Sequence, residues 1–90
     1  MARSSAGGTR LILLSRAYCH LCDDMRAALA PLAARHDVAV TEIDVDTDAA
    51  LEAAFGDLVP VLFADTTAAG NELSRYALDA PRVRAALAAK

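Results

Sequence analysis

The sequence lacks the features that define several large classes of protein. Its 90 residues contain no run of basic side chains, and the formal net charge of −3 argues against binding to nucleic acid. Its apolar runs are far shorter than the roughly 18 residues that a membrane-spanning helix needs. We therefore expect neither a nucleic-acid partner nor a membrane partner.

Residues 1–9 lack the apolar stretch of a secretory signal peptide. They are mostly small and polar, so we predict that residues 1–9 form a flexible tail and that residues 10–90 form one domain. We also expect the chain to be cytoplasmic and monomeric. The cytoplasm keeps thiols reduced, and a cysteine pair there is more often catalytic or metal-binding than a structural crosslink.

The hydrophobic pattern predicts an α/β domain with the element order β-α-β-α-β-β-α. The predicted strands cover residues 10–14, 38–44, 61–64 and 71–76. The predicted helices cover residues 19–35, a segment that ends near residue 55, and a segment that follows residue 79. Because helices join the first three strands, we expect those strands to be parallel and the last two strands to form a hairpin.

Single residues indicate where the predicted helices begin, bend and end. Pro31 lies inside the first helix, where it predicts a kink or a break. Asp46 or Thr47 can cap the second helix, and Gly56 can end it. Asp79 can cap the third helix.

The motif Cys19-His20-Leu21-Cys22 lies where the first predicted strand gives way to the first predicted helix. Two intervening residues allow the two sulfur atoms to meet in a disulfide. The unpaired N–H groups and the partial positive charge at a helix start stabilise a thiolate at Cys19. Arg16 and His20 add positive charge nearby, whereas the two aspartates after the motif oppose it.

This placement predicts a thiol–disulfide oxidoreductase. Cys19, at the exposed end of the helix, attacks a protein or small-molecule disulfide and forms a mixed disulfide. Cys22, one turn into the helix and on its buried side, attacks that bond and releases the reduced substrate. Cys19 and Cys22 are thus the predicted catalytic residues, and the reaction needs no tightly bound cofactor.

The stretch from Ser15 to Cys22 resembles the active-site loop of the glutaredoxins. It is especially similar to a branch of short bacterial glutaredoxin-like proteins that carry Cys-His-Leu-Cys. Residues 42–46 and 55–62 match the same branch, and the resemblance extends over residues 10–90. It implies a thioredoxin-like (glutaredoxin-like) fold, which is a four-stranded mixed sheet flanked by helices.

The resemblance also implies substrate-binding residues outside the cysteine pair. Pro60 is expected to be cis and to lie opposite the nucleophile, where Val59 presents its backbone to an extended substrate. Arg16 matches a residue that holds a carboxylate of glutathione. Tyr18 matches a residue that packs beside the nucleophile, and His20 stands where many glutaredoxins have proline, so we include both among the predicted substrate-binding residues.

Besides His20, the sequence departs from the glutathione-binding members after the fourth strand. Those members have Gly-Gly after the fourth strand, where glycine lets the backbone approach the ligand, whereas residues 73–79 contain no glycine. The reductant therefore stays open between glutathione, as a co-substrate, and a thioredoxin-reductase-type protein.

Other interpretations of the cysteine pair also stay open. The chain can be a thioredoxin-like binding module with idle or merely core-filling cysteines, or an iron–sulfur carrier in which Cys19 ligates a cluster shared by two chains. A zinc site within one chain needs four ligands. His20 would point away from the cysteines, and His36 lies some 20 Å further along the helix. We therefore predict no metal site of that kind.

Overall fold

The computed structural model of the protein describes residues 9–88, and within them it has the predicted α/β element order. The strands are β1 (Leu11–Ser15), β2 (Val40–Asp44), β3 (Val61–Ala64) and β4 (Glu72–Arg75). The α-helices are α1 (His20–His36), α2 (Ala49–Phe55) and α3 (Ala80–Ala88). All but one residue of the predicted tail lies outside the described range. No helix in that range is long and apolar enough to cross a membrane.

The four strands form one mixed sheet with the order β2-β1-β3-β4. Strand β1 is parallel to β2, and β3 is antiparallel to both β1 and β4. The prediction that the first three strands are parallel is therefore wrong for β3, whereas the hairpin of the last two strands is confirmed. The connection from Asp44 to Val61, which contains α2, does not return the chain to the edge of the sheet where β2 begins. Strand β3 therefore starts at the edge where β2 ends.

Helix α1 continues past Pro31 to His36, so the predicted break does not occur. It ends where Asp37 adopts the left-handed conformation, with φ of 53°. The N–H of Val38 then donates to the carbonyl of Ala33 at 3.1 Å. This bond closes the helix end and delays the start of β2 to Val40, two residues later than predicted.

Helix α2 is capped by Asp48, whose carboxylate accepts from the N–H groups of Ala50 and Leu51 at 3.0 and 3.1 Å. The predicted cap at Asp46 or Thr47 is wrong, because a short 3-10 turn occupies Val45–Thr47. The helix ends at Gly56, as predicted.

The carboxylate of Asp79 accepts from the N–H of Arg82 at 3.1 Å. This bond confirms the predicted cap of α3.

Two clusters of buried side chains lie on opposite faces of the sheet, because neighbouring residues of a strand alternate between faces. The first cluster packs α1 and α3 against the sheet and consists of Leu11, Leu13, Met25, Leu29, Leu32, Leu62, Val83 and Leu87. The second, called here the site-side cluster, consists of Leu14, Cys22, Val45, Val59, Val61 and Phe63, with Cys19 and Phe55 among the partly buried residues packed on it. The cysteine pair therefore rests on the face of the sheet that α2 covers.

Candidate redox site at the start of helix α1

Cys19 and Cys22 are joined by a disulfide across the first turn of α1, with their Cα atoms 5.2 Å apart. Cys19 is the N-cap residue, and its backbone is extended, with φ of −113° and ψ of 105°. Its sulfur also accepts from the N–H of Cys22 at 3.1 Å. The start of the helix therefore supplies a backbone donor to the sulfur of Cys19, as the sequence analysis predicts.

The two sulfur-bearing residues differ in their exposure. Cys22 is fully buried in the site-side cluster, whereas Cys19 is partly exposed. An incoming molecule can therefore reach Cys19 but not Cys22. The pair therefore has one accessible sulfur and one shielded sulfur.

Tyr18 and His20 flank Cys19 on the surface. The backbone of Tyr18 is left-handed, with φ of 59°, which is uncommon for an aromatic residue. Its side chain is fully exposed, so in this structure it does not pack beside the sulfur as the resemblance implies. The side chain of His20 is also exposed and forms no hydrogen bond with the described residues. The substrate-binding roles of both residues stay predictions.

Val59 and Pro60 lie beside the cysteine pair. The peptide bond between them is cis, as the resemblance implies. Val59 packs in the same site-side cluster as Cys22, and Pro60 is buried. The carbonyl of Pro60 accepts from the N–H of Tyr76 at 2.9 Å, while neither backbone group of Val59 is hydrogen-bonded within residues 9–88. A backbone donor and a backbone acceptor are therefore unused next to the disulfide.

The guanidinium of Arg16 contacts three groups of the segment after β2. Nη1 donates to the carbonyl of Gly56 at 3.0 Å. Nη2 donates to Asp46 at 2.7 Å and lies 3.4 Å from Glu52. The hydrogen bond with Asp46 is the main cause that raises the pKa of Arg16 above its ordinary value. Arg16 therefore fastens the loop before the cysteines to the segment that leads to Val59.

Because Gly56 has no side chain, it leaves room for the contacts of Arg16 with Asp46, Glu52 and Gly56 itself. A Cβ atom at position 56 would lie 2.6 Å from the carbonyl oxygen of Glu52 and 2.6 Å from its Oε2. The sequence analysis missed Asp46, Glu52 and Gly56 as partners of Arg16. They lie 30 to 40 residues from it in the chain, and no local pattern links them.

A second arginine lies one turn inside α1. Arg26 donates to Asp23 at 2.7 Å and to both carboxylate oxygens of Glu42 on β2. The hydroxyl of Ser15 also donates to Glu42, at 2.7 Å. The bonds from Arg26 and Ser15 lower the pKa of Glu42, with Arg26 the larger cause. Within residues 9–88, no three or more His, Cys, Asp or Glu side chains group so that they could hold a metal ion.

The mixed four-stranded sheet, the cysteine pair at the start of the first helix and the adjacent cis-proline define the class of thioredoxin-like proteins. Within this class, residues 10–88 match the family described as glutaredoxin-like domain (DUF836), and the chain belongs to that family. The comparison with curated proteins finds no match.

Several solved structures are similar to this chain. Protein Ne2328 of Nitrosomonas europaea is 31% identical with a TM-score of 0.77, and the match covers 96% of this chain and 99% of that protein. A protein of X. campestris is 41% identical with a TM-score of 0.65, covering 89% of this chain and 97% of its own. Trichomonas vaginalis thioredoxin, at 24% identity and a TM-score of 0.63, shares the fold over 92% of this chain and 79% of its own.

Proposed function

We propose that the protein is a thiol–disulfide oxidoreductase that reduces disulfides through a mixed disulfide on Cys19. The observation that carries this proposal is the unequal exposure of the disulfide, with Cys19 partly exposed and Cys22 fully buried. A pair that only filled the core would have no reason to present one sulfur to solvent. Membership of a glutaredoxin-like family supports a redox-type function.

In the proposed reaction, the reduced protein transfers two electrons to its substrate. The Cys19 thiolate attacks one sulfur of the substrate disulfide, forms a mixed disulfide and expels the first substrate thiolate. The Cys22 thiolate then attacks the sulfur of Cys19 and expels the second one. The substrate gains two electrons and two protons, and the Cys19–Cys22 disulfide remains. An external thiol or dithiol reductant restores the reduced protein, so no tightly bound cofactor takes part.

The free backbone groups of Val59 suit the binding of an extended polypeptide. A substrate chain beside Val59 can donate one hydrogen bond to its carbonyl and accept one from its N–H, as an added strand does. Pro60 has no N–H of its own, so only the Val59 groups are offered at this point. Tyr18 and His20, both exposed beside Cys19, would contact the residues that flank the substrate sulfur. We place this reaction in the cytoplasm and assign it to the monomer.

A trapping experiment tests the proposal. The reduced Cys22→Ser variant is incubated with bis(2-hydroxyethyl) disulfide, and the product is weighed by mass spectrometry. We expect one hydroxyethylthio adduct on Cys19, because the resolving thiol is absent. The Cys19→Ser variant is the matched control and should form almost no adduct, because Cys22 is buried.

The unmodified protein distinguishes the proposal from its alternatives. With dithiothreitol as the reductant, it should reduce the same disulfide catalytically and cycle between dithiol and disulfide. If Cys19 forms no adduct and the protein does not turn over, the oxidoreductase proposal is wrong and a binding module becomes the better interpretation. A coloured dimer after anaerobic purification would instead indicate a shared iron–sulfur cluster.

A further inference from the structure

The charges around the cysteine pair are mostly negative. The carboxylates on the segments next to the pair, residues 15–26 and 45–60, are Asp23, Asp24, Asp46, Asp48, Glu52 and Asp57. The guanidinium groups on the same segments belong to Arg16 and Arg26, and each already pairs with two carboxylates. Asp24 and Asp57 form no ion pair within residues 9–88 and are exposed.

Arg16 is the arginine that lies nearest to Cys19 in the chain, and neighbouring carboxylates neutralise its positive charge. Asp46 and Glu52 both contact Nη2, so one positive group faces two negative ones. Nη1 is held by the carbonyl of Gly56. A carboxylate that approached the remaining N–H groups of Arg16 would meet the negative charge of Asp46 and Glu52.

We propose that Arg16 acts as a clamp on the Asp46–Gly56 segment, and that the site thereby selects neutral or cationic disulfides over disulfides with a carboxylate near the sulfur. This inference rests on the proposed function and specifies its substrate class. Oxidised glutathione belongs to the disfavoured class, because its glycine carboxylates and its overall charge are negative. The favoured substrates are polypeptide or small-molecule disulfides whose flanking groups are neutral or basic.

A series of small disulfides tests this selectivity directly. The reduced Cys22→Ser variant reacts with cystamine, bis(2-hydroxyethyl) disulfide, 3,3′-dithiodipropionate and oxidised glutathione, and mass spectrometry follows the adduct on Cys19. Each rate constant is divided by that of N-acetylcysteine with the same reagent, which removes the intrinsic reactivity. We expect cystamine to react fastest and the two anionic reagents slowest, about fivefold below the neutral one at low salt. The differences should shrink in high salt, because exposed charges are screened.

Releasing the clamp should reverse part of the selectivity. In Asp46→Asn/Glu52→Gln, added to the Cys22→Ser background, Arg16 loses both charged partners and becomes available to an incoming carboxylate. The anionic reagents should then gain about fivefold relative to the neutral one, the upper end for one exposed ion pair. Adding Arg16→Gln to the same variant should remove the gain.

Asp24→Asn/Asp57→Asn is the matched control for charge alone. It removes two negative charges near the pair, as many as Asp46→Asn/Glu52→Gln does, and leaves the partners of Arg16 in place. It should change the anionic-to-neutral ratio less than twofold. Circular dichroism confirms that each variant keeps its fold.

Three results would overturn the clamp. Equal normalised rates for anionic and neutral reagents would do so. A gain in Asp24→Asn/Asp57→Asn as large as that in Asp46→Asn/Glu52→Gln would do so too. Selective slowing of the anionic reagents by Arg16→Gln alone would show that Arg16 already anchors carboxylates. If no reagent reacts with Cys19, the proposed function itself fails, and this result is distinct from the other three.

Discussion

Replacing Pro31 by alanine should stabilise the protein. Pro31 lies in the interior of α1, five residues before its last residue His36. Its ring nitrogen has no hydrogen to donate to the carbonyl of Ala27, and its ring crowds that carbonyl. The Pro31 side chain is exposed, so the substitution removes no buried contact. The buried neighbours Leu29 and Leu32 are unchanged.

The expected gain follows from two opposing effects. Proline in a helix interior is about 3 kcal/mol less favourable than alanine. Proline also restricts the unfolded chain, and losing that restriction costs about 0.4 to 1 kcal/mol of stability. The net gain is therefore about 2 kcal/mol, which for a domain of this size corresponds to a rise in Tm of roughly 10 °C.

Urea unfolding of the oxidised proteins measures this gain as a change in the free energy of unfolding. Pro31→Gly is the matched control. It restores the N–H but has a low helix propensity and a freer unfolded state, so it should gain clearly less than Pro31→Ala. If Pro31→Ala is no more stable than the unmodified protein, the reasoning is refuted. The proline ring would then favour a helix shape that seats Leu29 and Leu32.

Two further substitutions probe local interactions. Asp48→Ala should lower the free energy of unfolding by about 1 kcal/mol, because α2 loses the carboxylate that caps two N–H groups. The control Asp48→Asn should keep most of the stability, because its side-chain oxygen can still accept from these groups. Urea titration measures both variants. Glu42→Gln should cost about 0.5 to 1 kcal/mol at pH 7, because the charged bonds from Arg26 and Ser15 are weakened. Folding lowers the pKa of Glu42, so the ionised carboxylate stabilises the folded protein at a pH above its ordinary pKa of 4.5. This stabilisation is lost as the pH falls below that value and the carboxylate takes up a proton. The difference in unfolding free energy between the unmodified protein and Glu42→Gln should therefore be smaller at pH 3 than at pH 7.

Local patterns in the sequence predicted most of the helices and strands. The direction of β3 and the cap of α2 were predicted wrongly, because they depend on contacts outside these patterns. The apolar run in β1 and the Asp79 cap of α3 are short-range signals, and both are confirmed. The direction of β3 depends instead on the path of the connection between β2 and β3, which the order of elements does not reveal. The cap of α2 moved to Asp48 because Asp44 accepts from the N–H of Asp46 at 2.9 Å and starts a separate turn.

The candidate site also combines features that the local sequence predicts with features that it does not. Cys19 and Cys22 are three residues apart, so their geometry could be predicted from the motif and the helix start alone. The cis bond before Pro60 could be expected only from the family resemblance, because proline itself is compatible with either isomer. The partners of Arg16 could not be predicted, because they come from a segment whose position depends on the packing of the whole site-side cluster.

The proposed chemistry and the proposed selectivity of the site therefore depend on different parts of the structure. The proposed reaction depends on Cys19 as the N-cap residue of α1 and on Cys22 in its first turn. Selectivity, under the clamp proposal, requires Glu52 to fold back over position 56, which is possible because Gly56 has no side chain. A larger residue there would meet both the carbonyl and the carboxylate of Glu52, and one of the two partners that offset the charge of Arg16 would have to move. Under the two proposals, a substitution at position 56 would change which disulfides react while Cys19 and Cys22 stay in place.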